Sequence, residues 1–310
     1  MFSARLNERS ARLATSVCLG IDPRPDANAY THPARHRHDA RAVAQSVADY
    51  FTAILENSHD LIACCKPQSA FFEALGVPGL EALQRVMARA RELGVPVVLD
   101  AKRGDIGSTA EAYADAYLSD GPLAADALTV NPFLGLDTLE PFLERAVAFD
   151  RGLFVLVRTS NPGSADLQGL PVPSAAATAT AQVPLFQRLA AALAERAAGL
   201  PADEHGYGPL GAVVGASHSQ EAASLRELLP HSIFLVPGYG AQGGSASSVA
   251  PAFDGQGLGA VVSASRSLTY DPALREVDDL TELAHAVRRR VEAMRADLQR
   301  VAPTASAYGR

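Results

Sequence analysis

Short apolar runs alternate with longer amphipathic segments along this 310-residue chain, and that rhythm limits the folds open to it. The runs lie at 17–21, 61–65, 95–99, 127–130, 153–157, 211–214, 233–236 and 259–263. Their length and their Val, Leu and Ile content suit buried strands. Between them, apolar residues recur at helical spacing near 40–57, 79–93, 109–118, 136–148, 183–199, 219–229 and 245–253, with a long last segment at 277–300. Eight strand–helix units predict an α/β protein, a single-domain (β/α)8 (TIM) barrel spanning 1–301. A doubly wound open sheet is the alternative architecture. Its dinucleotide-binding form is disfavoured, because no Gly-x-Gly-x-x-Gly opens a helix after the first strand.

Some stretches fall outside the rhythm. Residues 162–182, rich in Ala, Ser, Thr and Pro, read as a loop insertion, and 302–310 as a flexible C-terminal tail. His32, His36 and His38 share the segment 24–38, but neither strand context nor acidic partners accompany them, so a solvated loop is expected. The net charge of -7 gives no bulk attraction for nucleic acid or anionic membrane. No apolar run reaches the roughly 18–20 residues that span a bilayer. The first residues are polar and amphipathic, without the apolar core of a signal peptide. Cys18, Cys64 and Cys65 fall in predicted strands and read as buried thiols rather than metal ligands. A cytoplasmic enzyme with no nucleic-acid or membrane partner is the expectation.

A (β/α)8 barrel builds its active site at the carboxyl ends of its strands. Those ends carry Asp22, Lys66, Asp100 with Lys102, and Asn131. The later ends carry Thr159-Ser160-Asn161, Gly215, Pro237-Gly238 and Ser265-Arg266. Asp100 and Lys102 stand two apart on a strand and so share a face. Asp105 lies beyond the turn at Gly104, and spacing leaves its direction open. A surface salt bridge, worth about 0–1 kcal/mol, is the bland reading of this cluster. Polar groups at nearly every strand end argue for chemistry instead. Neighbouring carboxylates favour the ammonium form, so Lys102 is expected as a proton donor or cationic stabiliser. A Schiff-base lysine needs the opposite shift. The Gly-rich stretch 237–244 and Arg266 predict a phosphate grip at the seventh and eighth strand ends. Residues 238–257 are a candidate lid.

Asp100-Ala101-Lys102-Arg103-Gly104-Asp105-Ile106 resembles the Asp-x-Lys-x-x-Asp-Ile signature of the orotidine 5'-phosphate decarboxylase family. The agreement extends through Gly107-Ser108-Thr109, Lys66-Pro67-Gln68-Ser69-Ala70-Phe71-Phe72-Glu73, Pro237-Gly238-Tyr239-Gly240-Ala241-Gln242-Gly243 and Arg266, in the family's order. It is similar to the longer, bacterial-type branch. The resemblance implies conversion of orotidine 5'-phosphate to UMP and carbon dioxide, the last step of de novo pyrimidine synthesis, with no cofactor and no metal. It implies that Lys102 delivers the proton to C6, while Asp100 sits against the substrate carboxylate and holds Lys102. Asp105, with Ile106 and Thr109, would complete the active site of the partner subunit in a homodimer. Asp22 and Lys66 would contact the ribose and Ser160 the pyrimidine amide edge. Pro237, Gly238, Gln242 and Arg266 would serve the phosphate region. Ser265 departs from the family, which often has Gly before the phosphate Arg. Magnesium-dependent sugar-phosphate relatives typically carry an acidic metal ligand at the second strand end, where this chain has Lys66. A catalytically silent nucleotide-binding protein is the alternative from another class, and the intact Asp100, Lys102 and Asp105 array argues against it.

Overall fold

In a β-strand successive side chains point to opposite faces, and in this chain that alternation separates a helix-facing row from an inward row. The computed structural model describes residues 1–174, 181–217, 219–240, 243–270 and 272–302. Its strands are β1 (Val17–Ile21), β2 (Cys64–Pro67), β3 (Val98–Arg103), β4 (Ala127–Val130), β5 (Gly152–Arg158), β6 (Pro171–Pro173), β7 (Gln182–Pro184), β8 (Leu210–Val214), β9 (Phe234–Pro237) and β10 (Ala260–Ala264). Eight of them form one sheet in the order β2-β1-β10-β9-β8-β5-β4-β3, parallel throughout. Parallel bridges Cys65–Val97 and Gln68–Asp100 join the two ends of that order and close the barrel. The expected (β/α)8 architecture is the observed one.

The helices are α1 (Phe2–Leu13), α2 (Ala40–Ser58), α3 (Ser69–Glu73), α4 (Gly76–Glu92), α5 (Gly107–Leu118), α6 (Glu140–Ala148), α7 (Ala165–Gln168), α8 (Leu185–Ala197), α9 (Ser219–Leu228), α10 (Ala246–Val249), α11 (Arg266–Thr269) and α12 (Leu280–Gln299). Side-chain caps mark where the two longest, α2 and α12, start. Asp39 accepts from the N–H groups of Arg41 (2.9 Å) and Ala42 (3.4 Å) at α2, and Asp279 from that of Glu282 (2.8 Å) at α12. The outward row of β1 (Val17, Leu19, Ile21) shares one apolar cluster with Val47, Phe51 and Ile54 of α2 and Leu283, Val287 and Val291 of α12. A second cluster fills the barrel interior from the inward row, with Cys18, Cys64, Val98, Phe154, Leu235 and Val261. The three cysteines are buried and free.

α1 is an addition to the expected pattern. Phe2 and Leu6 join the interior cluster, the Phe2 ring meets Phe154 edge-on at 6.1 Å, and Ser3 Oγ donates to the carbonyl of Tyr207 at 2.9 Å. The helix therefore plugs the amino-terminal mouth of the barrel. Gly152 at the start of β5 makes room for it, since a Cβ there would lie 2.3 Å from the Phe2 ring. Gly152→Ala is expected to cost about 1–3 kcal/mol through overpacking, read as a lower denaturant midpoint. An unchanged midpoint would mean that Phe2 does not hold this place.

Two strands are displaced from their expected positions. The apolar runs at 61–65 and 95–99 predict strands, but the ladders run over 64–67 and 98–103. Apolar composition marks the buried approach to each strand, whereas the hydrogen-bonded ladder continues into the polar residues lining the upper interior. Segment 162–182 begins with a 3-10 turn (Pro162–Ser164) and α7, and then pairs β6 with β7 antiparallel, Val172 opposite Val183. Residues 175–180 and 303–310 of the expected insertion and tail lie outside the described residues. In the loop after β1, the His32 ring accepts from the Ala34 N–H and the His36 ring is bonded to the Tyr30 carbonyl. Among the described residues no group of three or more His, Cys, Asp or Glu could hold a metal ion, and no helix is long and apolar enough to cross a membrane.

Candidate active site

Followed two residues at a time toward the carboxyl ends, the inward row changes from apolar to polar. β1 runs Cys18, Gly20, Asp22; β2 runs Cys64, Lys66, Gln68; β3 runs Val98, Asp100, Lys102; β4 runs Ala127, Thr129, Asn131; β10 runs Val261, Ser263, Ser265. The upper members of these rows line a single cavity of about 1090 Å³ at the carboxyl-terminal mouth. Apolar plug and polar chamber are thus two halves of the same alternation.

Asp100 is the centre of the chamber. Its carboxylate is buried and accepts four hydrogen bonds. Lys66 Nζ (2.8 Å) and Gln68 Nε2 (3.0 Å) bind one oxygen, and Lys102 Nζ (2.6 Å) and Thr129 Oγ1 (2.9 Å) the other. Burial by itself raises the pKa of this carboxyl, but the Lys66 and Lys102 ammonium groups outweigh it and hold the group well below the usual carboxylate range. Lys66 is the mirror case. Burial lowers its pKa, while Asp100 and then Asp22 reverse the effect and hold it above the usual lysine range. Asp100 and Lys66 therefore hold each other in the charged form at the floor of the cavity.

Lys102 differs from Lys66 in being half-exposed, with 46% of its side chain accessible. The β3–β4 register slips between Leu99 and Arg103, so that β3 bulges across Asp100–Lys102. Lys102 takes a left-handed backbone conformation at φ 48°, one that non-Gly residues adopt uncommonly and often at functional sites. Thr129 holds the bulge from both sides. It accepts from the Lys102 N–H at 2.9 Å and donates to Asp100 at 2.9 Å. The arrangement presents an ammonium to the cavity on a carboxylate that is already neutralised from below.

Of the residues singled out in the sequence, Asp22, Lys66, Asp100, Lys102, Ser160, Pro237, Gly238 and Arg266 line this one cavity. The Oδ1 atom of Asp22 is buried without a hydrogen-bond partner among the described residues. Ser160 sits hard against Gly215, where a Cβ would lie 2.9 Å from that of Ser160, so a side chain at 215 is incompatible with this placement. Gly238 turns the chain after β9 at φ 103°, and exposed Arg266 opens α11 after β10. Asp105, Ile106 and Thr109 do not line the cavity. Asp105 Oδ1 accepts from the Ile106 N–H at 2.8 Å, and Ile106 is 62% exposed. Gln242 lies outside the described residues. Thr129 and Gln68 received no role from the sequence, although both occupy inward positions two residues from a named neighbour. That period was the available signal.

Residues 15–300 match the profile of the Orotidine 5'-phosphate decarboxylase / HUMPS family. The orotidine 5'-phosphate decarboxylase of Rhodopirellula baltica is 43% identical over 278 residues, covering 87% of this chain and 88% of its own. That of Deinococcus radiodurans is 43% identical over 292 residues, 93% and 95% of the two chains. The solved structure of Leishmania donovani OMP decarboxylase superposes with a TM-score of 0.70 at 31% identity, over 95% of this chain and 99% of that one. With a profile match over most of its length and relatives this similar along nearly all of theirs, this chain belongs to the Orotidine 5'-phosphate decarboxylase / HUMPS family.

Proposed function

We propose that this protein decarboxylates orotidine 5'-phosphate (OMP) to UMP and carbon dioxide, without metal or cofactor, in de novo pyrimidine synthesis. The observation that carries the reading is buried Asp100, held between Lys66 beneath it and Lys102 facing the cavity. The bond from C6 to the carboxylate breaks, carbon dioxide leaves, and the electron pair stays on C6. No cofactor offers that pair a sink, so positive charge fixed in advance must stabilise it. Lys102 supplies the charge and then gives its Nζ proton to C6, which completes UMP. Asp100 keeps Lys102 in place and faces the substrate carboxylate, an approach relieved when carbon dioxide departs.

Asp22 and Lys66 bind the ribose. Ser160 meets the pyrimidine edge. Arg266 and the loop entered at Pro237 and Gly238, with Gln242, grip the phosphate. Contacts far from C6 supply binding energy that is expressed in the transition state. The test follows loss of OMP by absorbance in the presence of a chelator. Turnover that survives chelation supports the reaction, and turnover that depends on added magnesium overturns the metal-free route.

Asp105, Ile106 and Thr109 belong to the neighbour's site in a homodimer on this reading. Its support is that they lie outside their own cavity, on the segment leading from β3 into α5. Mixing weakly active Lys102→Ala and Asp105→Ala proteins is expected to restore about one quarter of wild-type activity. About half of freely exchanged dimers are mixed, and each mixed dimer holds one intact site of two. Mixed dimers verified by mass that stay as weak as their parents would place Asp105 outside the partner's site.

A further inference from the structure

Segment 162–168, which has no counterpart in a minimal strand–helix unit, is tied to the end of β5 by directed hydrogen bonds. Arg158 is buried and forks onto Glu221 (2.6 and 3.3 Å), with its remaining amino group on Ser164 Oγ (2.7 Å) and Gln168 Oε1 (3.5 Å). Gln168 Oε1 also accepts from the backbone N–H of Thr159 at 2.9 Å, and Gln168 Nε2 donates to Thr159 Oγ1 at 2.8 Å. Thr159 Oγ1 in turn donates to Asn161 Oδ1 at 2.7 Å.

The polarity of this relay follows from its first member. A backbone N–H and a guanidinium only donate, so the Gln168 atom facing them is the oxygen and its other atom is the amino nitrogen. That nitrogen occupies a lone pair of the Thr159 hydroxyl and leaves its proton for Asn161. The Asn161 atom facing Thr159 is therefore the oxygen. The Asn161 side chain does not cap the turn that follows it, and its Nδ2 makes no hydrogen bond among the described residues. Asn161 is exposed and lines the cavity beside Ser160.

We propose that Asn161 is a specificity-determining residue that donates from its amide nitrogen to a ring carbonyl oxygen of the substrate, and that Gln168 is a positioning residue that sets this orientation through Thr159. The inference rests on the reaction proposed above and adds to it the donor at the base. A pyrimidine-2,4-dione offers two carbonyl acceptors flanking one N–H, so a fixed donor at 161 recognises it, whereas an acceptor there repels it.

The test measures binding of UMP and of ribose 5-phosphate to the full-length protein, with OMP turnover of the wild type as control and thermal melting to verify folding. Asn161→Ala is expected to weaken UMP about tenfold, the scale of one neutral hydrogen bond. Asn161→Asp, which sets acceptor against acceptor, is expected to weaken it about 100-fold. Ribose 5-phosphate affinity stays within about twofold for both, because it carries no ring carbonyl. Gln168→Glu still accepts the Thr159 N–H but also takes the Thr159 hydroxyl proton, which turns the Asn161 amide around. It is expected to weaken UMP about tenfold with Asn161 intact, and to have no further effect in the Asn161→Ala background. Equal loss of UMP and ribose 5-phosphate affinity would show a structural role and overturn the proposal. A wild type active on OMP whose Asn161→Ala and Asn161→Asp variants hold UMP within about twofold sinks this inference alone. A wild type that neither turns over OMP nor binds UMP sinks the proposed reaction and this inference with it.

Discussion

Lys102→Ala is expected to lower kcat/KM for OMP about 100,000-fold while leaving the barrel folded. A positioned general acid contributes about 10²–10⁴-fold, and a preorganised charge at the developing anion about 10²–10³-fold. One side chain performs both roles here, and of the two ammonium groups bound to Asp100 it is the half-exposed one, Lys66 being buried. The fold survives for a local reason. Lys102 is half-exposed, and without it Asp100 still accepts from Lys66, Gln68 and Thr129. The melting temperature is expected to move by only a few degrees, about what 1 kcal/mol or less produces in a domain of this size. A folded Lys102→Ala protein with kcat/KM within about tenfold of wild type would remove Lys102 from the mechanism.

Asp100→Ala is expected to remove activity and stability together. The carboxylate is the acceptor for four donors, and its loss leaves the Lys66 ammonium buried with Asp22 as its remaining carboxylate neighbour. Breaking a buried pair in this way costs about 3–5 kcal/mol, measurable as a lower denaturant midpoint. The dependence on pH gives a second readout. In the wild type Lys66 is held above its unfolded value of about 10.4, so its contribution is complete below that pH and is lost as pH rises through the folded pKa. Without Asp100 the burial effect dominates and drives the folded pKa of Lys66 below the unfolded one. The unfolded state then binds more protons, and stability rises with pH up to about 10. The variant is therefore expected to gain stability as pH rises toward about 10, over a range where the Lys66 contribution in the wild type is level. Parallel slopes would mean that Asp100 does not set the charge state of Lys66.

Asp100 needs both its neighbours, yet only one was readable as a partner from spacing. The pair Asp100 and Lys102 follows from the two-residue period of a strand. Lys66 stands 34 residues away, and its 2.8 Å contact exists because bridges at Cys65–Val97 and Gln68–Asp100 close the barrel between β2 and β3. Thr129 was hidden inside an apolar run, and its role depends on the register of β4 against a bulged β3. The relay through Gln168 was less visible still. Its members belong to β5, to the segment called an insertion, and to α9, and periodicity does not report on contacts between such elements.

Strand–helix rhythm was enough to predict an eightfold barrel with polar residues at its carboxyl ends, with a doubly wound open sheet as the alternative, because that rhythm is a local property of the backbone. The DAKRGDI resemblance added the family, which the profile and relatives bear out. Tertiary structure alone decided the rest. It placed α1 in the mouth of the barrel against Phe154 and Gly152, and raised Lys102 on a left-handed bulge above Asp100. It also kept Asp105 out of its own chamber. Each of these depends on which distant segments meet when the sheet closes, and a periodicity shorter than one turn of helix carries no information about that.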